Sequence, residues 1–125
     1  MVVFDASAVL ALMLDEPGGD MVIANLQGGL ISVVNVVEVL TRLVEAGLTI
    51  DEADADFTGL KLVMMPLDHQ LAKASAGLRP LTRHLGLSLG DRACLALGQR
   101  ETLPVLTADR QWVGLDIGVD IRLIR

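Results

Sequence analysis

"VVFDASAVLALML", residues 2–14, changes its hydrophobic rhythm at Asp5. Val2 to Phe4 is a short apolar run of the β-branched and aromatic types that strands favour. The following "ASAVLALML" has the length and pattern of a helix, and the turn residues "EPGG" at 16–19 stop it. A lone carboxylate therefore stands where a buried strand hands over to a helix. "VLTADRQW", residues 105–112, repeats the arrangement, with Asp109 two residues past a second apolar strand.

Working outward, the chain alternates throughout. Asp20 to Leu26 reads as a short helix, "LISV" (30–33) as a strand, and about Val36 to Ala46 as a long helix ended by Gly47. The acidic "DEADADFTGL" reads as a helix starting at Asp51, and "KLVMMP" (61–66) as a third strand. Residues 68–78 read as helix, "RPLTRHLG" (79–86) as a short helical piece kinked around Pro80, and Ser88 to about Arg100 as a helix rich in Ala and Leu. "PVLT" (104–107) is a fourth strand and "IRLIR" (121–125) a candidate fifth. Strands that are apolar throughout and separated by helices predict a mostly parallel sheet covered on both faces, a three-layer doubly wound α/β domain spanning residues 1–125. Ligands in that architecture bind beyond the carboxyl ends of the strands, where the strand order reverses.

Composition narrows the chemistry. A chain of 125 residues, 52% hydrophobic, is long enough for one core without staples. Its apolar runs fall short of the roughly 18 residues that span a bilayer, and no basic segment precedes an apolar one at the start, so the cytosol is the expected location. The single cysteine, Cys94 in "ACLAL", reads as a buried small hydrophobe. Net charge is −6, but residues 1–60 hold ten acids against one base (Arg42) while residues 61–125 hold nine bases against six acids. The basic half could touch phosphates, with Arg83, Arg92 and Arg110 as candidate contacts, although solvated helix faces account better for any one of them taken singly. Only Phe4, Phe57 and Trp112 are aromatic, too few for a base-stacking platform.

Four acids are predicted to reach one rim. Asp5 and Asp109 come from strand ends, Glu38 from the first turn of the helix after the second strand, and Asp91 from the first turn of the helix opening at Ser88. Each has an ordinary explanation. "NVVE" (35–38) and "SLGD" (88–91) resemble capping boxes, Asp109 could cap the turn holding "RQW", and Asp5 could cap the helix near Ser7. Capping does not explain convergence, and two like charges ~4 Å apart repel by about 4 kcal/mol at an effective dielectric of 20. Divalent cations would remove that repulsion. Oxygen ligands suit Mg²⁺ or Mn²⁺, and His69 and His84 are not spaced as ligands.

"VVFDASAVLALMLDEPG", "SVVNVVEVLTRL", "LSLGDRACLALG" and "PVLTADRQW", in this order along nearly the whole chain, resemble the PIN-domain family. The wording is similar to the VapC-type toxin ribonucleases of toxin–antitoxin pairs. By that resemblance Asp5, Glu38, Asp91 and Asp109 correspond to the family's acidic metal-binding set, with Thr107 as the hydroxyl residue of the fourth motif. It implies Mg²⁺- or Mn²⁺-dependent endonucleolytic cleavage of RNA, a small antitoxin docked beside the site, and a homodimer. Thr107 and Ser7 could orient a water or a phosphate oxygen, or simply bond within their turns. Surplus apolar residues on the helices around 6–14 and 36–48 suggest a groove for an antitoxin segment or a second copy. Two alternatives remain open: a haloacid dehalogenase-like phosphatase, which wants an aspartate where Ser7 stands, and a non-catalytic interaction protein on the same scaffold.

Overall fold

The structure, a computed structural model, describes residues Met1–Arg125. Five strands, β1 (Val3–Phe4), β2 (Leu30–Ser32), β3 (Val63–Met65), β4 (Val105–Thr107) and β5 (Ile121–Leu123), form one sheet in the order β3-β2-β1-β4-β5. Every neighbouring pair is parallel. The helices are α1 (Ala6–Met13), α2 (Gly19–Ala24), α3 (Val33–Glu45), α4 (Ile50–Thr58), α5 (His69–Gly77), α6 (Arg79–Thr82) and α7 (Leu89–Glu101), with 3₁₀ turns at Arg83–Leu85 and Arg110–Gly114. The candidate fifth strand is thus real and pairs with β4.

Strand pleating sorts the core into two layers. Successive side chains on a strand point to opposite faces, so Phe4, Ile31 and Leu106 join α1, α2, α3 and α4 in one cluster. Val3, Leu30 and Val105 join α5, α7 and Trp112 in the other. The chain runs outward from β1 through β2 to β3, then returns past β1 to β4 and β5. Crossovers of constant right hand put helices on opposite faces when the direction reverses, which accounts for the division. The reversal lies between β1 and β4.

Several close approaches require glycine, and two of them bear on the rim. Gly29 lets the fully buried Phe4 ring lie where a side chain would otherwise stand, since a Cβ there would overlap the ring edge. Gly90, in the first turn of α7, likewise makes room for the carboxylate of Glu38.

The long helix begins earlier than its sequence predicts. Ser32, the last residue of β2, is already its N-cap and accepts from Val34 N, so strand and helix abut without a loop. Asn35 is inside the helix rather than capping it, and Glu38 falls in the second turn. Helix α4 also starts early, at Ile50, behind a full capping box of Thr49 and Glu52. No helix is long and apolar enough to cross a membrane.

Candidate active site

Asp5 N donates to Leu106 O (2.9 Å), which pins the end of β1 to β4 at the reversal point. Asp5 occupies the N-cap position of α1, yet its side chain makes no capping bond. Its carboxylate turns across the switch point instead. Oδ2 accepts from Ser7 Oγ (2.6 Å) and from Thr107 Oγ1 (2.8 Å). Those hydroxyls are held in turn by backbone donors: Ala108 N donates to Ser7 Oγ (2.9 Å) and Asp109 N to Thr107 Oγ1 (3.0 Å). With one proton each, both directed at Asp5, the two hydroxyls orient the aspartate. The 3.2 Å approach between them is then contact without a proton in it.

The other acids are held by one oxygen each. Asp91 Oδ2 accepts from Ser88 N (3.0 Å) while Asp91 N donates to Ser88 Oγ (3.2 Å), the capping box predicted from "SLGD". Asp109 Oδ1 accepts from Gln111 N (2.9 Å) and caps the 3₁₀ turn, again as the sequence suggests. Glu38 Oε1 accepts from Asn35 Nδ2 (2.7 Å), and that same nitrogen donates to Gly90 O (3.1 Å). Capping and site-building are therefore compatible, because each carboxylate keeps a second oxygen without a protein donor. That of Asp5 is not among the enclosed, unpartnered atoms, so solvent reaches it although the residue is only 4% exposed.

Electrostatics link three of the four. Burial pushes the Asp5 carboxyl up to about 6; the Ser7 and Thr107 hydroxyls oppose this, and Asp91 and Glu38 add to it. Glu38 is also raised, first by burial and then by Asp91, against the lowering effect of Asn35. The thiol of Cys94 is driven well above its usual range by burial, and Asp5, Asp91 and Glu38 all contribute. Cys94 lies behind the acids, free and fully buried, as its sequence context predicts.

No three His, Cys, Asp or Glu side chains are gathered closely enough to hold a metal ion by themselves. Asp109 is connected to Asp5 through Thr107 and is not otherwise coupled to it. The donor set still suits a hard cation: carboxylate oxygens only, one of them buried with no cationic partner. Mg²⁺ usually takes one or two carboxylates and keeps several waters, so the spread of the four is compatible with it.

The arginines differ among themselves. Arg83 and Arg110 are exposed and make no ion pair or side-chain hydrogen bond. Arg92 is turned inward, donating through Nη1 to Ser75 O (3.1 Å) with Nε enclosed. It ties α7 to α5 and has little reach for a phosphate. Nothing in the sequence marks Asn35 and Gly90 as parts of the site beyond an amide three residues before Glu38 within a valine run.

A family model described as PIN domain matches residues 2–117. No protein of curated function matches significantly. Among solved structures, a toxin–antitoxin complex from Klebsiella pneumoniae contains a chain 16% identical, with TM-score 0.78 and 100% of this chain and 98% of that one covered. DNA-bound VapBC from Salmonella typhimurium gives 17% identity, TM-score 0.76 and full coverage of both chains. VapBC-5 from Mycobacterium tuberculosis gives 23%, TM-score 0.59, and 99% and 97% coverage. At these identities the likeness is one of fold.

Proposed function

The chain belongs to the PIN-domain family, and from that membership we propose that it is a Mg²⁺- or Mn²⁺-dependent endoribonuclease, the toxin of a toxin–antitoxin pair. The observation that carries the reading is the placement of Asp5: a nearly buried carboxylate at the switch point, oriented by two hydroxyls, neutralised by no cation, and within electrostatic reach of Asp91 and Glu38. A group so placed weakens the fold unless a ligand of opposite charge uses it.

Asp5, Asp91 and Asp109 would hold one or two ions, no more than two of them on any one ion directly and the rest, like Glu38, directly or through water. When bound, the cation supplies an activated water and neutralises the phosphate oxygens during in-line displacement. Ser7 and Thr107 keep Asp5 Oδ2 occupied and so present its other oxygen to the rim. Arg83 and Arg110 are free to meet the RNA backbone. Ser7 stands where a haloacid dehalogenase would need its second aspartate, and its proton is committed to Asp5, which leaves the phosphatase alternative without a general acid.

The partner expectation has a physical counterpart on α3 and α4. Val37, Leu40, Val44 and Ile50 line a groove of about 440 Å³, with Thr41 and Glu45 beside them. Asp51 and Glu52 follow Ile50 directly. An apolar groove of this kind, with Glu45 as its one acidic lining residue and Arg42 paired to it, suits the apolar face of an amphipathic segment, as an antitoxin tail would supply. Helix α1 buries most of its apolar residues and contributes Ala11 and Leu12 to a more polar groove of about 360 Å³ closed by Asp15, Glu16 and Asp20. A homodimer and a cytoplasmic site of action complete the reading.

The test is cleavage of single-stranded RNA with Mg²⁺ or Mn²⁺, by wild type and by Asp5→Asn. Wild type should cut and lose activity to EDTA, and Asp5→Asn should be folded and inactive. Full metal-dependent activity in Asp5→Asn would exclude Asp5 as a ligand; hydrolysis of phosphate monoesters without cleavage of RNA would replace the proposed reaction.

A further inference from the structure

Asn35 is completely buried in "VVNVVEV", residues 33–39, a run otherwise of valines and one glutamate. Its Nδ2 donates both to Glu38 Oε1 on its own helix and to Gly90 O on α7. Its Oδ1 is enclosed and has no partner. Both neighbours of Nδ2 are acceptors, so turning the amide over would set oxygen against oxygen. An enclosed acceptor left unpaired costs about 1–3 kcal/mol. That cost offsets most of what the two Nδ2 bonds contribute, so fold stability alone gives little reason for an amide here.

Gly90 belongs to the same arrangement, since a Cβ at that position would overlap the Glu38 carboxylate. The carboxylate rests on the bare backbone of the first turn of α7, one residue before Asp91. We infer that Asn35 is a positioning residue: it fastens one oxygen of Glu38 against α7 and leaves Oε2 available beside Asp91 for the cation. Asn35 touches neither substrate nor ion and acts only through Glu38. The inference rests on the proposed metal-dependent reading, because only a cation gives the orientation of Glu38 a consequence.

The experiment is a calorimetric titration of the whole chain with Mn²⁺ alone, on wild type, Asn35→Leu, Glu38→Ala and the double variant. Loss of an outer partner of a ligand weakens metal affinity by about 10-fold or more. Asn35→Leu should show that loss in the wild-type background and less than about a twofold change once Glu38 is replaced by alanine, the non-additivity expected of residues acting as a unit. Metal-free Asn35→Leu should melt within a few degrees of wild type, because the two lost bonds and the unpaired oxygen removed with them nearly offset each other. Unchanged Mn²⁺ affinity in a folded Asn35→Leu protein, or an equal loss in both backgrounds, overturns the inference. If wild type itself binds no Mn²⁺, the metal reading fails separately. The crystal structure of metal-free Asn35→Leu then decides the clamp, and a Glu38 carboxylate still resting on Gly90 would sink it.

Discussion

Asp5 is a residue whose charge opposes folding. Its carboxyl titrates near 6 in the native state against 3.8 in an open chain, chiefly because burial disfavours the anion. Between those pH values the native state keeps a proton that the unfolded state has released. Stability from this group is therefore full below pH 4, falls as pH rises through 6, and stays low above it. The shift corresponds to roughly 3 kcal/mol at most. An asparagine in its place would carry no charge to bury, and the single amide oxygen can accept from both Ser7 and Thr107. Metal-free Asp5→Asn should accordingly be more stable than wild type at pH 7, with the advantage vanishing near pH 4. Glu38 shifts in the same direction and Glu52 in the opposite one, but both remain in each protein and cancel in the difference. Urea unfolding in EDTA across pH 3.5–8 checks it, and a variant no more stable than wild type at neutral pH would show that burial does not penalise the anion. Much of this residue was legible in advance: an acid ending an apolar strand is visible in "VVFD". Its refusal to cap α1 was not, because the competing hydroxyl of Thr107 comes from 102 residues away.

At the scale of elements, two glycines separate packing from function. A methyl group at Gly29 would meet the ring of Phe4, fully buried beneath the sheet with no room to move. A methyl group at Gly90 would meet the far end of Glu38, a flexible and half-exposed side chain. Gly29→Ala should thus destabilise by about 1–3 kcal/mol, the usual range for an overpacked core, and leave the activity of the folded fraction intact. Gly90→Ala should melt within a few degrees of wild type and lose most metal-dependent cleavage. Thermal melts beside RNA cleavage assays compare them, and the reverse pattern would mean that the α3–α7 contact is structural. Neither contact could be read from sequence, since each depends on a partner in another element. The start of α3 is hidden in the sequence for a related reason. Ser32 serves both as the last strand residue and as the helix cap, and the β-branched run "VVNVV" that follows lacks the look of a helix start. A polar residue in that run invites reading as a cap, yet Asn35 is the clamp on Glu38. The capping boxes whose partners are three residues apart, such as Ser88 with Asp91, were legible because their physics is local.

Across the whole molecule, the charge division along the chain becomes largely a division between layers, with Arg125 as an exception that returns to Glu16 and Pro17 O beside the first. Helices α1–α4 all come from residues 1–60, with ten acids and one base, and pack on one face of the sheet. Helices α5–α7 come from the second half, with nine bases and six acids, and pack on the other. A polyanion approaching the rim is repelled from the first layer and drawn to the second, where Arg83 and Arg110 stand unpaired. Because only a few phosphates can be neutralised there, RNA affinity should depend weakly on salt. Single strands release about 0.7 counterions per phosphate contact, so removing one arginine should lower the slope of log K against log salt by about that amount. The measurement is RNA binding by cleavage-dead Asp5→Asn from about 50 to 200 mM salt, with Arg83→Gln or Arg110→Gln added. Arg92→Gln should leave the slope unchanged, because that guanidinium is committed to Ser75 O. Asp54→Asn, on the acidic layer, should strengthen binding only slightly and mainly at low salt. A slope unaffected by either exposed arginine, or one that drops for Arg92→Gln, would put the RNA on a different face from the one its charge selects.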